Sequence, residues 1–472
     1  MLPDFFYAAA GILVIGLITI GAAQNLLHVL QLVLAARALK DAPPEPTSGP
    51  LWRRSAELVP PISILAPAYN EAETIVESVR SLLAQQYPQF EIIVINDGST
   101  DATLKELQAA FKLAPTQRDC EGALSYAKVR GVFAAEMHPN LLVIDKLNGG
   151  KADALNAGLD HARHPIFCSM DADSILEPDA LFRAVQPFVA DPERVVASGG
   201  TVRIVNGCAV RGGRVGEYRI PSNPLALLQT VEYMRAFLMA RLAWSRIGAL
   251  TIISGAFGLF RRSVVVESGG YAHGLVGEDM ELVVRLHRLH RESKRDYRIA
   301  FVPEPVCWTE APETIRALSR QRRRWQRGSL ETFALHRKML LNPRYGRVGV
   351  LGFASILLID VLGPIAEIAG YLLVPAFWLL GILSVEYLLA FLAVSFVFGI
   401  AISVGSLVLE EQQLQRVTRT PELIALTIAA VLENFGYRQL NSIWRVLGCW
   451  DWMSGARAWG EMKRKGFAKA AV

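Results

Sequence analysis

The chain has 472 residues, 52% of them hydrophobic, with a mean hydropathy of +0.28 and a formal net charge of +5. An ordinary soluble domain is about 45–50% apolar, so a membrane contribution is expected, and so modest a charge gives no ground for nucleic-acid binding. Five scattered cysteines (Cys120, Cys168, Cys208, Cys307, Cys449) without a CxxC pair argue against a disulfide framework or a zinc site, and are expected as buried free thiols in a reducing compartment.

Residues 1–40 read as a transmembrane anchor. Phe5 to Ile20 is apolar, and the run continues through Leu26–Leu39, while about 20 apolar residues span a bilayer. A cleaved signal peptide would begin with a basic stretch, and no Lys or Arg precedes Arg37. Arg37, Lys40, Arg53 and Arg54 follow the span, which places the N-terminus outside and the next domain in the cytoplasm. Residues 41–59 are a linker opened by the proline-rich DAPPEPTSGP.

Residues 60–340 have the pattern of an α/β domain. ISILA (62–66), ended by Pro67, is a short buried strand, and ETIVESVRSLLAQQ (73–86) places Ile75, Val79, Leu82 and Leu83 on one helical face. EIIVI (91–95), LLVID (141–145) and PIFCSM (165–170) repeat the continuous apolar run. Such strands alternating with helices predict a mainly parallel sheet with helices on both faces. Ligands bind beyond the carboxyl ends of those strands, which here carry Asn70-Glu71, Asn96-Asp97 and Asp171 with Asp173. GxGxxG and GxxxxGK[ST] are both missing, which excludes a dinucleotide fingerprint and a P-loop.

Several residues have the chemistry of nucleotide and metal handling. Asp171 and Asp173 in DAD can share a hard divalent cation with a diphosphate, although alone the pattern also fits a solvated turn. Asp97 in INDGST can accept bonds from a base or ribose, and Lys151 in GGKADALN suits a pyrophosphate. Glu278-Asp279 opens a helix, as a general base for a hydroxyl or as an ordinary acidic helix start. LSRQRRRWQRG (318–328) packs five arginines around Trp325. It reads as a lipid-facing basic segment, or as Arg324 on a diphosphate with Trp325 beneath a sugar. The Gly- and Arg-rich loop 206–223 has no assignment, and Tyr233 to Trp244 is amphipathic enough to lie on a membrane surface.

Residues 346–447 are expected to return to the membrane. Val348–Leu380 and Leu383–Leu409 are clear spans, and a third, Leu423–Leu447, is interrupted by Glu433, Arg438 and Arg445. Asp360 and Glu367 inside the first point to a polar cavity, or Asp360 to an interfacial helix. Four spans would leave the tail 448–472 outside, against the basic character of WGEMKRKGFAK.

APAYNE, INDGST, GGKADALN, DAD, SGAFG, GED and QRRRW, in this order and flanked by apolar helices, resemble the processive family-2 glycosyltransferases. That group includes cellulose, hyaluronan, chitin-oligosaccharide and poly-N-acetylglucosamine synthases. The resemblance covers roughly Pro60 to Gly328 and implies a cytoplasmic GT-A-like domain with a mainly parallel sheet, flanked by transmembrane α-helices. It implies that Tyr69 and Asp97 contact uracil and ribose, that Lys151 meets the diphosphate, and that Asp171 and Asp173 complete the site, Asp173 binding Mg²⁺ or Mn²⁺. Asp279, beside Glu278, would deprotonate the acceptor and invert the anomeric carbon. Gln321, Arg324 and Trp325 would form the QxxRW motif, with Ser254, Gly255 and Glu310 bordering the acceptor.

The implied donor is UDP-N-acetylglucosamine or UDP-glucose. The implied partners are a glycan or lipid acceptor, membrane lipids and accessory export subunits, with no nucleic acid. Ser254-Gly255-Ala256 stands where cellulose synthases carry Cys-Gly-Ser, and no regulatory domain is expected after the last span; both count against a bacterial cellulose synthase. The rival readings are a single-addition enzyme acting on a lipid, which would not need Gln321–Trp325, an export subunit without catalysis, and a degenerate binding protein. The last two leave the site carboxylates without a purpose.

Overall fold

In the computed structural model, which describes residues 4–41, 59–414 and 419–455, the apolar run after Pro61 forms strand β1 (Ile62–Ala68). It runs through Pro67 rather than ending there. Pairing with the strand Ile166–Met170 covers only Ile62 to Leu65, whereas pairing on the other side continues to Ala68, so the proline falls where β1 has a single neighbour. The other strands are β2 (Phe90–Asp97), β3 (Leu113–Pro115), β4 (Val129–Ala135), β5 (Leu141–Lys146), β6 (Ile166–Met170), β7 (Ile175–Leu176), β8 (Val195–Ile204), β9 (Val210–Arg211), β10 (Arg214–Val215), β11 (Phe257–Arg261) and β12 (Arg298–Thr309).

Ten strands make one mixed sheet in the order β3-β4-β5-β2-β1-β6-β11-β8-β12-β7. Its central run β5-β2-β1-β6 is parallel, β4 and β11 join its two edges antiparallel, and β8 and β12 form a second parallel pair beyond β11. β5 and β6 are buried along their whole length and β2 from Glu91 onward, which is why they read as unbroken apolar runs. The helix Ile75–Leu83 buries Ile75, Val79 and Leu82 as the spacing predicted, while Leu83, expected on the same face, is only partly buried. None of the five cysteines is in a disulfide; Cys120 is exposed and the other four are buried.

The unassigned loop 206–223 contains the hairpin β9–β10, turned by Gly212 (φ 57°) and Gly213 (φ 71°). A two-residue turn of this kind needs positive φ at both positions. The Gly213 N–H donates to Glu77 Oε2 at 2.9 Å, and a Cβ at Gly213 would lie 2.3 Å from the Ser81 nitrogen. The hairpin tip is thereby seated on the Ile75–Leu83 helix.

The described chain divides into two compact units. The sheet unit comprises 59–222 and Leu250–Ala311; the helical unit comprises 4–40, Asn223–Ala249 and 312–455. Among the described residues, three helices of the second unit are long and apolar enough to cross a membrane: Tyr7–Lys40, Val348–Leu379 and Val385–Glu411. The stretch expected as one further span is instead two helices, Thr420–Leu432 and Tyr437–Met453, parted at Gly436 with φ 92°. Glu433 stands between them, and Arg438 and Arg445 lie on the second helix, from which they reach Glu367 (3.0 Å) and Asp360 (2.6 Å). The acidic residues of the Val348–Leu379 helix are therefore paired.

Tyr233 to Trp244, expected on a membrane surface, is largely buried: Phe237, Leu238, Met239, Leu242, Ala243 and Trp244 are all covered. It packs against the Asp4–Lys40 and Phe398–Leu414 helices, which take the apolar face that a bilayer would otherwise meet. The proline-rich linker at 42–58 and the basic tail from 456 lie outside the described residues.

Candidate active site

The turn after β5 is built around a buried lysine. Lys146 is fully buried, and its ammonium donates to Asp97 Oδ1 at 2.5 Å and pairs with Asp153. Asp97 also accepts from the Gly149 N–H (3.0 Å) and the Gly150 N–H (2.8 Å), while Asp153 accepts from the Ala127 N–H (2.9 Å). Gly150 has φ 89°, and a Cβ at Gly149 would meet the Asp153 carboxylate at 2.3 Å, so both glycines are required. The Lys151–His161 helix starts directly after this turn.

Lys151 points into a cavity that it lines together with Leu155, Ser169, Ser254, Gly255, Tyr271, Glu278 and Asp279. Its Nζ lies 2.6 Å from Asp171 Oδ1 and 3.2 Å from Glu278 Oε1. Burial opposes the ammonium charge, but Asp171, Glu278 and Asp279 outweigh it and hold the lysine above its ordinary pKa. Burial pushes the Glu278 carboxyl up, and the like charge of Asp279 adds to that against the pull of Lys151.

Glu278 and Asp279 open the helix Glu278–Glu292. Asp279 Oδ2 accepts the Gly255 N–H at 2.8 Å, and Oδ1 accepts the Met280 N–H at 2.8 Å. A Cβ at Gly255 would fall 2.6 Å from Lys151 Nζ, so the SGAFG glycine is needed for the lysine and the aspartate to approach. Arg285, paired with Glu281 one turn earlier on the same helix, ties that helix to the preceding loop through the carbonyl of Gly270 (2.6 Å).

Lys151, Asp171, Ser254, Gly255, Glu278 and Asp279 converge. Tyr69 is half exposed at the end of β1, and Asp173 is buried two residues beyond Asp171. Asp97, expected to face base or ribose, is turned inward and 3% exposed, with both oxygens engaged by Lys146 and the glycine turn. Glu310 follows β12. Gln321, Arg324 and Trp325 belong to the helical unit, on the Ile315–Leu335 helix, where Gln321 is buried and Arg324 and Trp325 are exposed.

Sequence reasoning passed over Lys146, Tyr271 and Arg322. Lys146 ends an apolar strand, where a charge is unusual enough to mark it. Tyr271 is exchanged for nothing in the sequence pattern, yet its backbone N–H and carbonyl both bond Asn156, the last residue of GGKADALN. Arg322 was hidden among like neighbours, although its spacing of three from Trp325 on a helix was available.

Among the described residues no group of three or more His, Cys, Asp or Glu side chains forms a metal cage. Asp171, about a third exposed beside Lys151, and Asp173, buried two residues further on, are carboxylates of the kind that hold a hard divalent ion together with substrate phosphates.

The family described as "Glycosyltransferase like family 2" matches residues 60–328. The chain is 32% identical over 270 residues to a poly-beta-1,6-N-acetyl-D-glucosamine synthase of Staphylococcus epidermidis, covering 57% of this chain and 55% of that protein. A synthase of the same name from Staphylococcus aureus (strain COL) is 32% identical over 271 residues, with the same coverage. The chain thus spans about half the length of these curated relatives. Among solved structures, a mannosyltransferase from Pyrobaculum calidifontis in complex with GDP-Man and Mn²⁺ aligns with a TM-score of 0.55 at 19% identity, covering 93% of this chain and 100% of that one. The fold is shared with that protein.

Proposed function

The chain belongs to the family-2 glycosyltransferases, and from that premise we propose that it transfers a sugar from a UDP-sugar to a growing β-linked glycan at a membrane. The observation that carries this reading is the convergence of Lys151, Asp171, Glu278 and Asp279 on one cavity behind the Gly255 N–H. UDP-N-acetylglucosamine is the favoured donor because the two staphylococcal relatives are named for its polymer, with UDP-glucose as the alternative.

Tyr69 offers an exposed ring to the uracil, and Lys151 leaves its carboxylates for the diphosphate. Asp97 acts through the glycine turn that presents Lys151. Asp173, with Asp171 beside it, would hold Mg²⁺ or Mn²⁺, which when bound neutralises charge on the departing nucleotide. Asp279, fixed by two backbone N–H groups, takes the proton from the acceptor hydroxyl. The acceptor oxygen bonds to the anomeric carbon as its bond to the diphosphate breaks, so UDP leaves and an α-linked donor gives a β-linkage. Ser254, Gly255 and Glu310 border the acceptor, Trp325 caps its end as part of the QxxRW motif with Gln321, and Arg324 holds the diphosphate. The sheet unit faces the cytoplasm, and several spans couple synthesis to export.

The test is UDP release by the full chain in membranes, with Mg²⁺ or Mn²⁺ and a panel of UDP-sugars, followed by sizing of products. One donor giving long chains cleaved by a β-specific glycosidase supports the reading. Single-sugar lipid products would replace it with a one-addition enzyme, and no turnover with any donor would overturn it.

A further inference from the structure

The QRRRW segment places its three arginines differently. Arg323 forms a two-pronged pair with Asp451 (2.7 and 2.6 Å), and Arg324 is exposed. Arg322 is 3% exposed, and its guanidinium carbon sits 4.3 Å from the centroid of the Trp325 ring. A spacing of three on the Ile315–Leu335 helix stacks these two side chains one above the other. Arg322 Nη2 donates to Glu232 Oε2 at 2.8 Å, and the Tyr437 hydroxyl donates to the same oxygen at 2.6 Å. Nε and Nη1 of Arg322 are buried without a hydrogen-bond partner among the described residues.

This is a costly way to fill space. A buried guanidinium loses hydration that a leucine or methionine of similar size would never have had. Here two of its buried donors are also unmet, so the residue is not optimised for hydrogen bonding. What its position does accomplish is to cover one face of Trp325 while the residue stays 43% exposed. Glu232 and Tyr437 come from two further helices, Pro224–Tyr233 and Tyr437–Met453; Glu232 holds the guanidinium through one hydrogen bond, and Tyr437 holds Glu232.

The geometry points to Arg322 as a positioning residue, which with Glu232 and Tyr437 clamps the Trp325 ring so that one face is presented to the non-reducing end of a glycan acceptor. This rests on the glycosyl-transfer reading above. A planar cation stacks on an indole and an ammonium does so less well, so the assignment separates arginine from lysine at this position. The role is distinct from nucleotide handling, and its loss reaches the acceptor and leaves the donor site alone.

Two measurements on the full chain in membranes decide it. The first is acrylamide quenching of Trp325, isolated from the nine tryptophans by subtracting the spectrum of Trp325→Phe in each background. Arg322→Met is expected to make Trp325 more accessible to quencher, and Arg322→Lys to give an intermediate value. The second is kinetics with an added oligosaccharide acceptor: Arg322→Met should raise the acceptor KM about tenfold while the donor KM stays within about twofold, the size expected for one lost desolvated cation–π contact. Glu232→Gln, which leaves Arg322 in place without its anchor, should move both readouts in the same direction by less. Unchanged quenching in Arg322→Met, or a donor KM that rises with the acceptor KM, overturns the assignment. If the unaltered protein releases no UDP, the glycosyl-transfer reading fails, and the quenching result still decides whether Arg322 holds the ring.

Discussion

Lys151 Nζ stands 2.6 Å from Asp171 Oδ1, so the first carboxylate of the DAD motif already carries a cation supplied by the chain itself. A nucleotide diphosphate would draw that ammonium away, and a divalent ion would compete with it for the same oxygen. Lys151→Met should therefore weaken UDP binding about 10- to 100-fold while strengthening Mn²⁺ binding in the absence of nucleotide. Calorimetry with UDP and electron paramagnetic resonance of free Mn²⁺ read the two effects separately. Weaker Mn²⁺ binding in the variant would remove the competition.

Asp279→Asn keeps an oxygen for the Gly255 N–H but cannot take a proton. Turnover should fall about 10²- to 10⁴-fold, with UDP affinity unchanged in calorimetry. Retained turnover would move the general base to the adjacent Glu278.

Lys146→Met leaves Asp97 and Asp153 buried without their shared cation. The expected loss is about 3–5 kcal/mol of stability, read from chemical denaturation. Adding Asp97→Asn and Asp153→Asn should recover part of it, because the uncompensated charges are then gone. A variant as stable as the parent would show that the pair is not what fixes the glycine turn.

His287 lies on the helix that begins with Glu278 and Asp279. Its Nε2 meets the Leu250 carbonyl at 2.7 Å and its Nδ1 meets the Tyr297 hydroxyl at 2.7 Å. A carbonyl can only accept, so Nε2 carries the proton and Nδ1 is left to accept from Tyr297. Burial pushes the imidazole pKa down to about 4 from 6.5. The folded form therefore disfavours the proton that the unfolded chain binds below 6.5. The resulting stability is full above pH 6.5 and is lost as pH falls through about 4, an effect on the order of 3 kcal/mol. Thermal midpoints between pH 7.5 and 4 should fall more steeply for the parent than for His287→Gln, and parallel curves would refute the assignment.

Trp325→Ala should shorten the product more than it weakens nucleotide binding, through loss of an exposed aromatic surface. Product sizing beside UDP calorimetry checks this, and a polymer of unchanged length would rule out the platform.

The central strands were legible because burial on both faces leaves an unbroken apolar signature, and the motif glycines because Gly149 and Gly255 sit where a side chain would collide and Gly150 where the backbone takes a positive φ. Asp97 shows the limit. A carboxylate at a strand end looks the same in sequence whether it faces a ligand or a buried lysine 49 positions further on, and only the sheet register that pairs Asp97 with Lys146 decides it. Arg322 illustrates another limit, since five arginines in eleven residues carry one composition and several environments. The interrupted third span was visible as charges in an apolar run, but the break at Gly436 depends on Arg438 and Arg445 finding acids on a different helix.

The thiol pattern has a practical side. Four of the five cysteines are buried, and burial also raises the pKa of Cys168 and Cys307, so they are both hidden and poorly nucleophilic at neutral pH. The native fold thus offers a maleimide reagent one exposed target, Cys120. A single fluorophore or spin label can be attached there without first engineering away the other four, which makes the unmodified chain ready for distance measurements on the working enzyme.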